Sequence, residues 1–370
     1  MIAGELIPWG VREAVRAGLA FPRRMEAGRA FQKIRAATRN RTRVGFGGVL
    51  DDGRPIHGGA VKLLPLREAF GGDEREFNIL YSVSSSQPEF AEDLFRVCRR
   101  QGIRVVWNQN GVGFPAWAGK ESERFNGPMR RLAGMADFII FQSEFCRRSA
   151  GRWLGDFPGI ASQVLFNPVD LVRFQPAPGV VAKPRLLAAG THGTRDRVLP
   201  LLRALRDLRA RGFDVELTVA GRFQWKNGEA DFRETVRRLR LDRFVRRIER
   251  FSQADAPELY RAHSVLVHPK YMDPCPTVVI EALACGLPVV GSATGGMPEL
   301  VPGTCGVLVP GPENYEVSHA PTATELSDAI EHVLEAREAM AVSAREWAVD
   351  RFDVQKWIAE HRAIFESVLG

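Results

Sequence analysis

The residues most able to do chemistry lie between positions 268 and 310. Asp273 and Glu281 are two carboxylates separated by seven residues, with Pro276 and Thr277 between them. Pro276 suits the first turn of a helix, where its missing N–H costs nothing. We expect the amides at this helix start to bind an anion such as a diphosphate, and Glu281 to accept hydrogen bonds from a ribose diol. We expect Asp273 to lie on the other side of the phosphates from the ribose, nearer the group that the diphosphate carries.

A second glycine-containing turn follows, Ala293-Thr-Gly-Gly296, just before Pro298-Glu299. We predict that Gly295 and Gly296 precede another helix start, whose free amides and positive dipole end face the same cleft. Two helix N-termini at one cleft would bind a diphosphate without much help from a metal. The seven histidines and five cysteines show no metal-ligand spacing, so we predict no metal site.

Short apolar runs alternate with helical patterns after residue 43, which predicts parallel sheets covered by helices on both faces. The stretch Pro176-Ala-Pro-Gly179 breaks both patterns and predicts a linker. The predicted strands of the first half are 44–49, 77–83, 103–107, 138–141 and 164–166. Those of the second half are 186–189, 215–220, 245–251, 265–267, 288–291 and 307–309.

These elements predict an α/β fold of two Rossmann-like parallel-sheet domains that face a cleft. We expect an N-terminal domain over residues 44–176 and a C-terminal domain over 177–345. Residues 346–370 should form a helix that crosses back to the first domain. Ligands bind at the carboxyl ends of strands in such sheets, so the cleft is the expected site.

The basic charge is concentrated at the N-terminus. The chain has a formal net charge of +7, and residues 1–43 hold ten basic against three acidic residues. With apolar residues interleaved, this segment predicts a pair of basic amphipathic helices broken at Pro22. Two interpretations stay open: docking on an anionic membrane surface, or packing on the first domain as a solvated extension. The segment has few aromatics to stack bases, so we expect no nucleic-acid partner.

The cellular location of the protein is predicted from three kinds of sequence pattern: membrane spans, signal peptides and cysteine spacing. No run approaches the roughly 20 apolar residues that span a bilayer, and the N-terminus does not resemble a signal peptide. The cysteines are odd in number and widely spaced, which favours a reducing compartment. We expect a cytoplasmic protein, with peripheral attachment to the inner face of the membrane if the basic segment docks there.

The ordered motifs resemble glycosyltransferase family 4, a retaining group with the GT-B fold that is also described as glycosyl transferases group 1. Asp273-x7-Glu281 is similar to its paired-acid signature. Asn167-Pro-Val-Asp170 and Arg173-Phe174 are similar to its domain-junction motif, and His57-Gly58-Gly59 to its N-terminal glycine loop.

This resemblance implies transfer of a sugar, with retention, from a nucleotide-sugar donor to a glycan or lipid-linked acceptor. A UDP-sugar is slightly favoured over a GDP-sugar, and no tightly bound cofactor or metal is implied. Two alternatives stay open: a GT-B relative that binds nucleotide without catalysis, and a GT-B sugar-nucleotide epimerase. An epimerase would need acid/base residues on both faces of the sugar, and only Asp273 is apparent.

The resemblance also implies roles for individual residues. Asp273 would orient the sugar, and Asn110 or Asn108 would stand where the family places a histidine. The family's phosphate loop normally holds an arginine and a lysine, but Gly190–Arg197 contains no lysine, so Arg195 or Arg197 should hold the diphosphate. The other implied donor-binding residues are Gly58, Gly59, His192, Gly193, Pro276, Thr277, Glu281, Gly295 and Gly296.

Overall fold

The computed structural model describes residues 22–38, 41–48, 50, 61–179 and 183–370. Its strands form a five-stranded sheet, a six-stranded sheet and a two-stranded pair. The strands are β1 Arg35–Ala36, β2 Val44–Gly45, β3 Glu76–Phe77, β4 Ile79–Val83, β5 Arg104–Gln109, β6 Phe138–Phe141, β7 Ala161–Val164, β8 Arg185–Ala189, β9 Glu216–Ala220, β10 Val245–Ile248, β11 Val265–His268, β12 Val289–Ser292 and β13 Gly306–Val309.

The helices lie between the strands along the chain. Helix α1 covers the described residues 22–31. The others are α2 Leu63–Phe70, α3 Ala91–Arg100, α4 Pro115–Ala118, α5 Ser122–Ala133, α6 Glu144–Leu154, α7 Leu199–Ala210, α8 Gly228–Arg238, α9 Ala256–Arg261, α10 Thr277–Ala284, α11 Met297–Leu300, α12 Ala323–Glu335, α13 Arg337–Arg351 and α14 Val354–Leu369.

Both large sheets are parallel throughout. The first has the order β2-β4-β5-β6-β7, and the second has the order β10-β9-β8-β11-β12-β13. Every predicted strand overlaps an observed one, and the predicted α/β fold class with two parallel sheets is confirmed. The largest shift is at β7, predicted at 164–166 but observed at Ala161–Val164, because this half-exposed edge strand has no apolar run to mark it.

Each sheet is buried on both faces. In β8, Leu186 and Ala188 pack into one apolar cluster, whereas Leu187 and Ala189 pack into another on the opposite face. Successive side chains of a strand point to opposite faces, so a strand covered on both sides is apolar throughout. This two-sided burial fixes the strand ends, from which the functional loops emerge.

The C-terminal helix joins the two sheets. Helix α13 packs against α10 beside the second sheet, whereas α14 packs against the first sheet through Trp357 and Phe365. A hydrogen bond of 3.0 Å joins Tyr81 Oη on β4 to His361 Nε2 on α14. The segment that returns to the first sheet therefore begins at Val354 rather than near residue 346.

The described part of the basic N-terminal segment packs on the first sheet's side of the molecule. Residues 1–21 lie outside the described residues, and Pro22 begins the described helical stretch. Arg23 and Arg24 pair with Glu89 and Asp93 beside α3, at 2.5 and 2.7 Å. No helix of the described chain has the length and apolar character needed to cross a membrane.

Tyr315 carries a contact from the second half of the chain into the first. It follows β13 but is 8% exposed within the apolar cluster of the first sheet. Its ring lies 5.2 Å from that of Phe114 and 6.2 Å from that of Phe145, and the Arg152 guanidinium lies 4.8 Å from its centroid. The Ala116 N–H also donates to its carbonyl oxygen at 2.8 Å.

Removal of this ring should weaken the contact between the two halves. We expect Tyr315→Ala to lower the free energy of unfolding by about 3 kcal/mol, because a buried aromatic leaves a cavity when truncated. Val317→Ala is the matched control, since Val317 is 56% exposed, and it should change stability by no more than about 0.5 kcal/mol. Urea unfolding measures both; equal losses in the two variants would contradict this role of Tyr315.

Candidate active site

A cavity of about 1000 Å³ lies between the two sheets. Residues just beyond the carboxyl ends of strands line it from both sides: Asn110 and Asn167 follow β5 and β7, and Gly190 follows β8. The start of α10 and parts of α2 and α14 complete the wall. This volume suits a ligand larger than a single sugar.

Asp273 is buried at the centre of this wall. Its Oδ2 lies 2.9 Å from Lys270 Nζ and 2.9 Å from His268 Nε2. Burial alone would raise the pKa of Asp273, but Lys270 and His268 together hold that pKa below its usual range. The group is therefore an ionised carboxylate next to a cation. Lys270 is absent from the sequence-based prediction.

Glu281 lies on α10 and lines the same cavity. Its two oxygens accept hydrogen bonds from Gln253 Nε2 at 2.7 Å and from Tyr260 Oη at 2.8 Å. Burial raises the pKa of Glu281, while these two donors oppose the rise. Each carboxylate oxygen can accept more than one hydrogen bond, so both keep capacity for a ligand hydroxyl.

The start of α10 presents free amides to the cavity. The helix begins at Thr277, with Pro276 as the residue before it rather than its first residue. Within the described part of the chain, the N–H groups of Thr277 and Val278 have no hydrogen-bond acceptor, and both residues line the cavity. A helix N-terminus with free amides favours an anion.

The two candidate arginines point in different directions. Arg197 lines the cavity, and its Nη1 donates to the Thr191 carbonyl at 2.8 Å. Arg195 instead pairs with Asp231 on α8 at 2.7 Å, with 60% of its side chain exposed. Of the two alternatives that the sequence left open, Arg197 is therefore the one that lines the cavity, because a carboxylate outside the cavity binds Arg195.

The other two predicted residues of this loop also lie outside the cavity wall. His192 is buried, and its Nε2 lies 3.1 Å from the Ala220 carbonyl oxygen. Burial lowers the pKa of His192 to about 4, so the ring is neutral and serves as packing. Gly193 lies behind Arg197, whose guanidinium would contact a Cβ placed there. Neither residue is part of the cavity lining, and their role in donor binding stays a prediction.

Gly295 and Gly296 support the acid loop from behind instead of facing the cavity. The Gly296 N–H donates to the Asp273 carbonyl at 2.9 Å, so it is not free for an anion. A Cβ on Gly296 would lie 2.0 Å from the Pro274 carbonyl oxygen, and one on Gly295, which has φ +70, would lie 2.7 Å from the Asp273 carbonyl oxygen. The helix after them, α11, has four residues. The predicted second anion-binding helix start is therefore wrong.

The same loop is held from the other side by the first half of the chain. Ser143 Oγ donates to the Pro274 carbonyl at 2.8 Å, and Asn167 Nδ2 donates to the Cys275 carbonyl at 2.9 Å. The two carboxylate oxygens of Glu299 accept hydrogen bonds from the first N–H groups of α6, that of Glu144 at 2.7 Å and that of Phe145 at 2.8 Å. A carboxylate at a helix N-terminus is stabilising.

Asn110 also lines the cavity, and three hydrogen bonds hold its amide in place. Its Oδ1 accepts hydrogen bonds from Gln142 Nε2 at 2.5 Å and from Lys62 Nζ at 3.0 Å. Its Nδ2 donates to Ser85 Oγ at 2.6 Å. These contacts fix the orientation of Asn110, and among the described residues the second N–H of its Nδ2 has no acceptor, so it can donate to a ligand.

Lys62 is a buried residue that the sequence-based prediction missed. Besides Asn110, its Nζ donates to Asn108 Oδ1 at 2.6 Å and to Asn167 Oδ1 at 3.3 Å. Burial lowers the pKa of Lys62 to about 7. Its nearness to the predicted glycine loop was the only signal in the sequence. Gly58 and Gly59 themselves lie outside the described residues.

The described residues contain no group of three or more His, Cys, Asp or Glu side chains that could hold a metal ion. Asp273 is already bound by Lys270 and His268. Metal independence stays a prediction.

The C-terminal side of this site lies in a segment that resembles a known family. Residues 183–335 match the family model described as glycosyl transferases group 1. This segment contains Arg197, Asp273, Glu281 and the start of α10, and so the C-terminal side of the cavity.

Two curated relatives illustrate the similarity. A GDP-mannose-dependent alpha-(1-6)-phosphatidylinositol monomannoside mannosyltransferase of Mycolicibacterium smegmatis is 30% identical over 269 residues, covering 65% of this chain and 64% of the relative. A D-inositol 3-phosphate glycosyltransferase of Corynebacterium aurimucosum is 29% identical over 163 residues, covering 43% and 36%. The chain thus spans less than two thirds of the length of either relative.

Solved structures match over more of the chain. HepE of Anabaena in complex with UDP superposes with a TM-score of 0.64 at 18% identity, covering 83% of this chain and 81% of HepE. Sucrose-phosphate synthase of Thermosynechococcus elongatus gives 0.61 at 19% identity, covering 84% and 76%. At such identities the likeness concerns the fold. Residues 183–335 thus resemble the group 1 glycosyltransferases, and the chain as a whole has the GT-B fold.

Proposed function

We propose that the chain transfers a sugar from a nucleoside diphosphate donor to a hydroxyl group of a glycan or lipid-linked acceptor, with retention of anomeric configuration. One observation carries the proposal. A single cavity contains Glu281 for a ribose, Arg197 and the free amides of α10 for a diphosphate, and the ionised Asp273 for a sugar. These are the three parts of a nucleotide sugar.

The donor is held by charge and hydrogen bonds from the second half of the chain. The diphosphate binds at the Thr277 and Val278 amides, where the helix dipole favours negative charge. Arg197 binds a phosphate oxygen through its planar guanidinium, which can donate two parallel hydrogen bonds. Glu281, oriented by Gln253 and Tyr260, accepts hydrogen bonds from the ribose hydroxyls.

The transfer step breaks the bond between the anomeric carbon and the donor's phosphate oxygen, and it forms a bond from that carbon to the acceptor oxygen. The acceptor's proton passes to the departing diphosphate, whose new negative charge Arg197 and the α10 amides stabilise. Asp273 binds sugar hydroxyls and fixes the ring. Attack occurs on the face from which the diphosphate leaves, which retains the configuration without a covalent enzyme intermediate.

The donor's base and the acceptor are open within this proposal. The Mycolicibacterium relative is GDP-mannose-dependent by name, whereas the Anabaena structure contains UDP. Both named relatives act on inositol acceptors that carry phosphate, which makes a phosphate-bearing acceptor a candidate here.

The proposal is tested by thermal unfolding with a panel of UDP- and GDP-sugars, followed by assay of turnover. A bound donor should raise the melting temperature, since it binds the folded state only. Slow hydrolysis of that donor without acceptor would distinguish a transferase from a relative that only binds nucleotide. Absence of any stabilising nucleotide would overturn the proposal.

The two arginines of the phosphate loop give a matched pair of variants. Arg197→Ala should lower kcat/KM for the donor about 10- to 150-fold, because a charge-assisted hydrogen bond contributes about 1.5–3 kcal/mol. Arg195→Ala should change it less than about threefold, because Arg195 pairs with Asp231 outside the cavity. Activity assays with the donor from the panel measure both. Equal losses, or a larger loss for Arg195→Ala, would show that Arg197 does not hold the diphosphate.

We also propose that residues 1–43 attach the protein peripherally to anionic membranes. Ten basic residues support this attachment, although Arg23 and Arg24 already pair with acids near α3. Each remaining cation near a bilayer would contribute about 1 kcal/mol. The attachment should weaken as salt rises, because charge is screened over about 8–10 Å at physiological salt.

Sedimentation with liposomes measures this attachment. The full chain should bind anionic vesicles at low salt, and a chain lacking residues 1–40 should not. Neutral vesicles serve as the control. Equal partitioning of the two chains would exclude membrane attachment through this segment and would leave the transferase proposal intact.

A further inference from the structure

Lys62 is a buried positive charge with no acidic partner among the residues that the structure describes. Its side chain lines the cavity, yet the residue is only 6% exposed. Its three contacts are the side-chain carbonyl oxygens of Asn108, Asn110 and Asn167. An ammonium group has three N–H donors, so these three oxygens can satisfy its hydrogen bonds but cannot neutralise its charge.

A buried ammonium group lowers the stability of the folded protein if its role is only structural. Placing an ammonium in a protein interior costs several kcal/mol, and neutral side chains of similar volume often serve as well or better. The lowered pKa of Lys62 reflects this burial. A cation retained beside a cavity at this cost is explained if an anion enters that cavity.

The donor's diphosphate has its own positive groups elsewhere. Arg197 and Lys270 line the wall formed by the second half of the chain, next to α10. Lys62 belongs to the first half and lies beside the start of α2, where Leu64 and Pro65 continue the cavity wall. The GT-B arrangement assigns this side to the acceptor under the proposed function.

The same end of the cavity contains a second cation and apolar side chains. Arg362 on α14 lines it, and its guanidinium lies 4.9 Å from the Phe70 ring centroid. Among the described residues, Arg362 has no salt bridge. Val354 and Ile358 of α14 supply apolar surface, and Glu68 is the acid that lines this end.

We propose that Lys62 binds a phosphate group of the acceptor. This inference rests on the proposed transferase function. The phosphate approaches Nζ from the cavity side and accepts a hydrogen bond from the N–H that now points to Asn167 Oδ1, the longest of the three contacts at 3.3 Å. The Asn108 and Asn110 oxygens keep the ammonium in place. The acceptor hydroxyl then faces the donor sugar near Asp273. Lys62 thus acts as a residue that determines acceptor specificity.

The probe is inorganic phosphate, added to protein already saturated with the nucleoside diphosphate that stabilises it. Saturation occupies the diphosphate site, so further stabilisation by phosphate reports a separate anion site. Total ionic strength is held constant with chloride. The wild type should show a rise in melting temperature that increases with phosphate concentration.

Three variants assign that rise to Lys62. Lys62→Met removes the charge and keeps the length of the side chain, and it should abolish the rise. Asn108→Asp places a carboxylate at the atom 2.6 Å from Nζ, which neutralises the lysine without removing it and should also abolish the rise. Lys120→Met removes an exposed lysine that lies outside the cavity wall, and it should leave the rise unchanged.

The outcomes separate this inference from the proposed function. An unchanged phosphate response in Lys62→Met or Asn108→Asp, or no response in the wild type, overturns the role of Lys62 even when nucleotide still stabilises the protein. If no nucleotide stabilises the wild type, the transferase proposal fails instead. The difference in phosphate response between wild type and Lys62→Met, measured then without nucleotide, still decides whether Lys62 binds phosphate.

Discussion

The loop from Met272 to Pro276 is held between the two halves of the molecule, and the rest of the site depends on it. From the second half, the Gly296 N–H donates to the carbonyl of Asp273, and the glycine pair lets the loop lie directly on the backbone behind it. From the first half, Ser143 and Asn167 donate to the next two carbonyls. The loop therefore keeps its shape only while both halves are in contact.

Several side chains maintain that contact at a distance from the cavity. Glu299 accepts the first amides of α6. Tyr315 fills a position in the first sheet's apolar cluster, and α14 returns to the same sheet. Each of these groups crosses between the halves, so the position of the Asp273 carboxylate is coupled to the packing of the whole chain.

The charges around the cavity divide along the same boundary. Asp273 is ionised because Lys270 and His268 outweigh its burial. Arg197 and the amides of α10 lie on the same side as Asp273, which suits a diphosphate leaving group. On the opposite side, the partners of Lys62 among the described residues are neutral. A site with one positive region per side can hold two anionic molecules that react with each other.

Much of the fold could be predicted from sequence because buried parallel strands are apolar throughout. The Asp273-x7-Glu281 spacing likewise led to two residues that share one cavity. The spacing of residues, however, does not predict which way a side chain points. Arg195 and Arg197 are two residues apart, and Arg195 points away from the cavity because it pairs with a carboxylate on α8.

Gly295 and Gly296 show the same limit of prediction from sequence. A sequence does not distinguish glycines whose amides bind an anion from glycines that let a neighbouring loop pack closely against the backbone. Lys62 was missed for a different reason. Asn108, Asn110 and Asn167 belong to two strand ends, and they surround one lysine only after the sheet has formed.

The central claim is that this cavity binds a nucleotide through Glu281, and calorimetric titration tests it most directly. The nucleoside diphosphate that stabilises the wild type is titrated into wild type, Glu281→Ala and a control, Glu346→Ala, whose side chain is exposed on α13. The account predicts that Glu281→Ala weakens binding by about 1.5–3 kcal/mol, the scale of a hydrogen bond to a charged group, while Glu346→Ala binds like the wild type. Wild-type affinity in a folded Glu281→Ala protein would contradict the account.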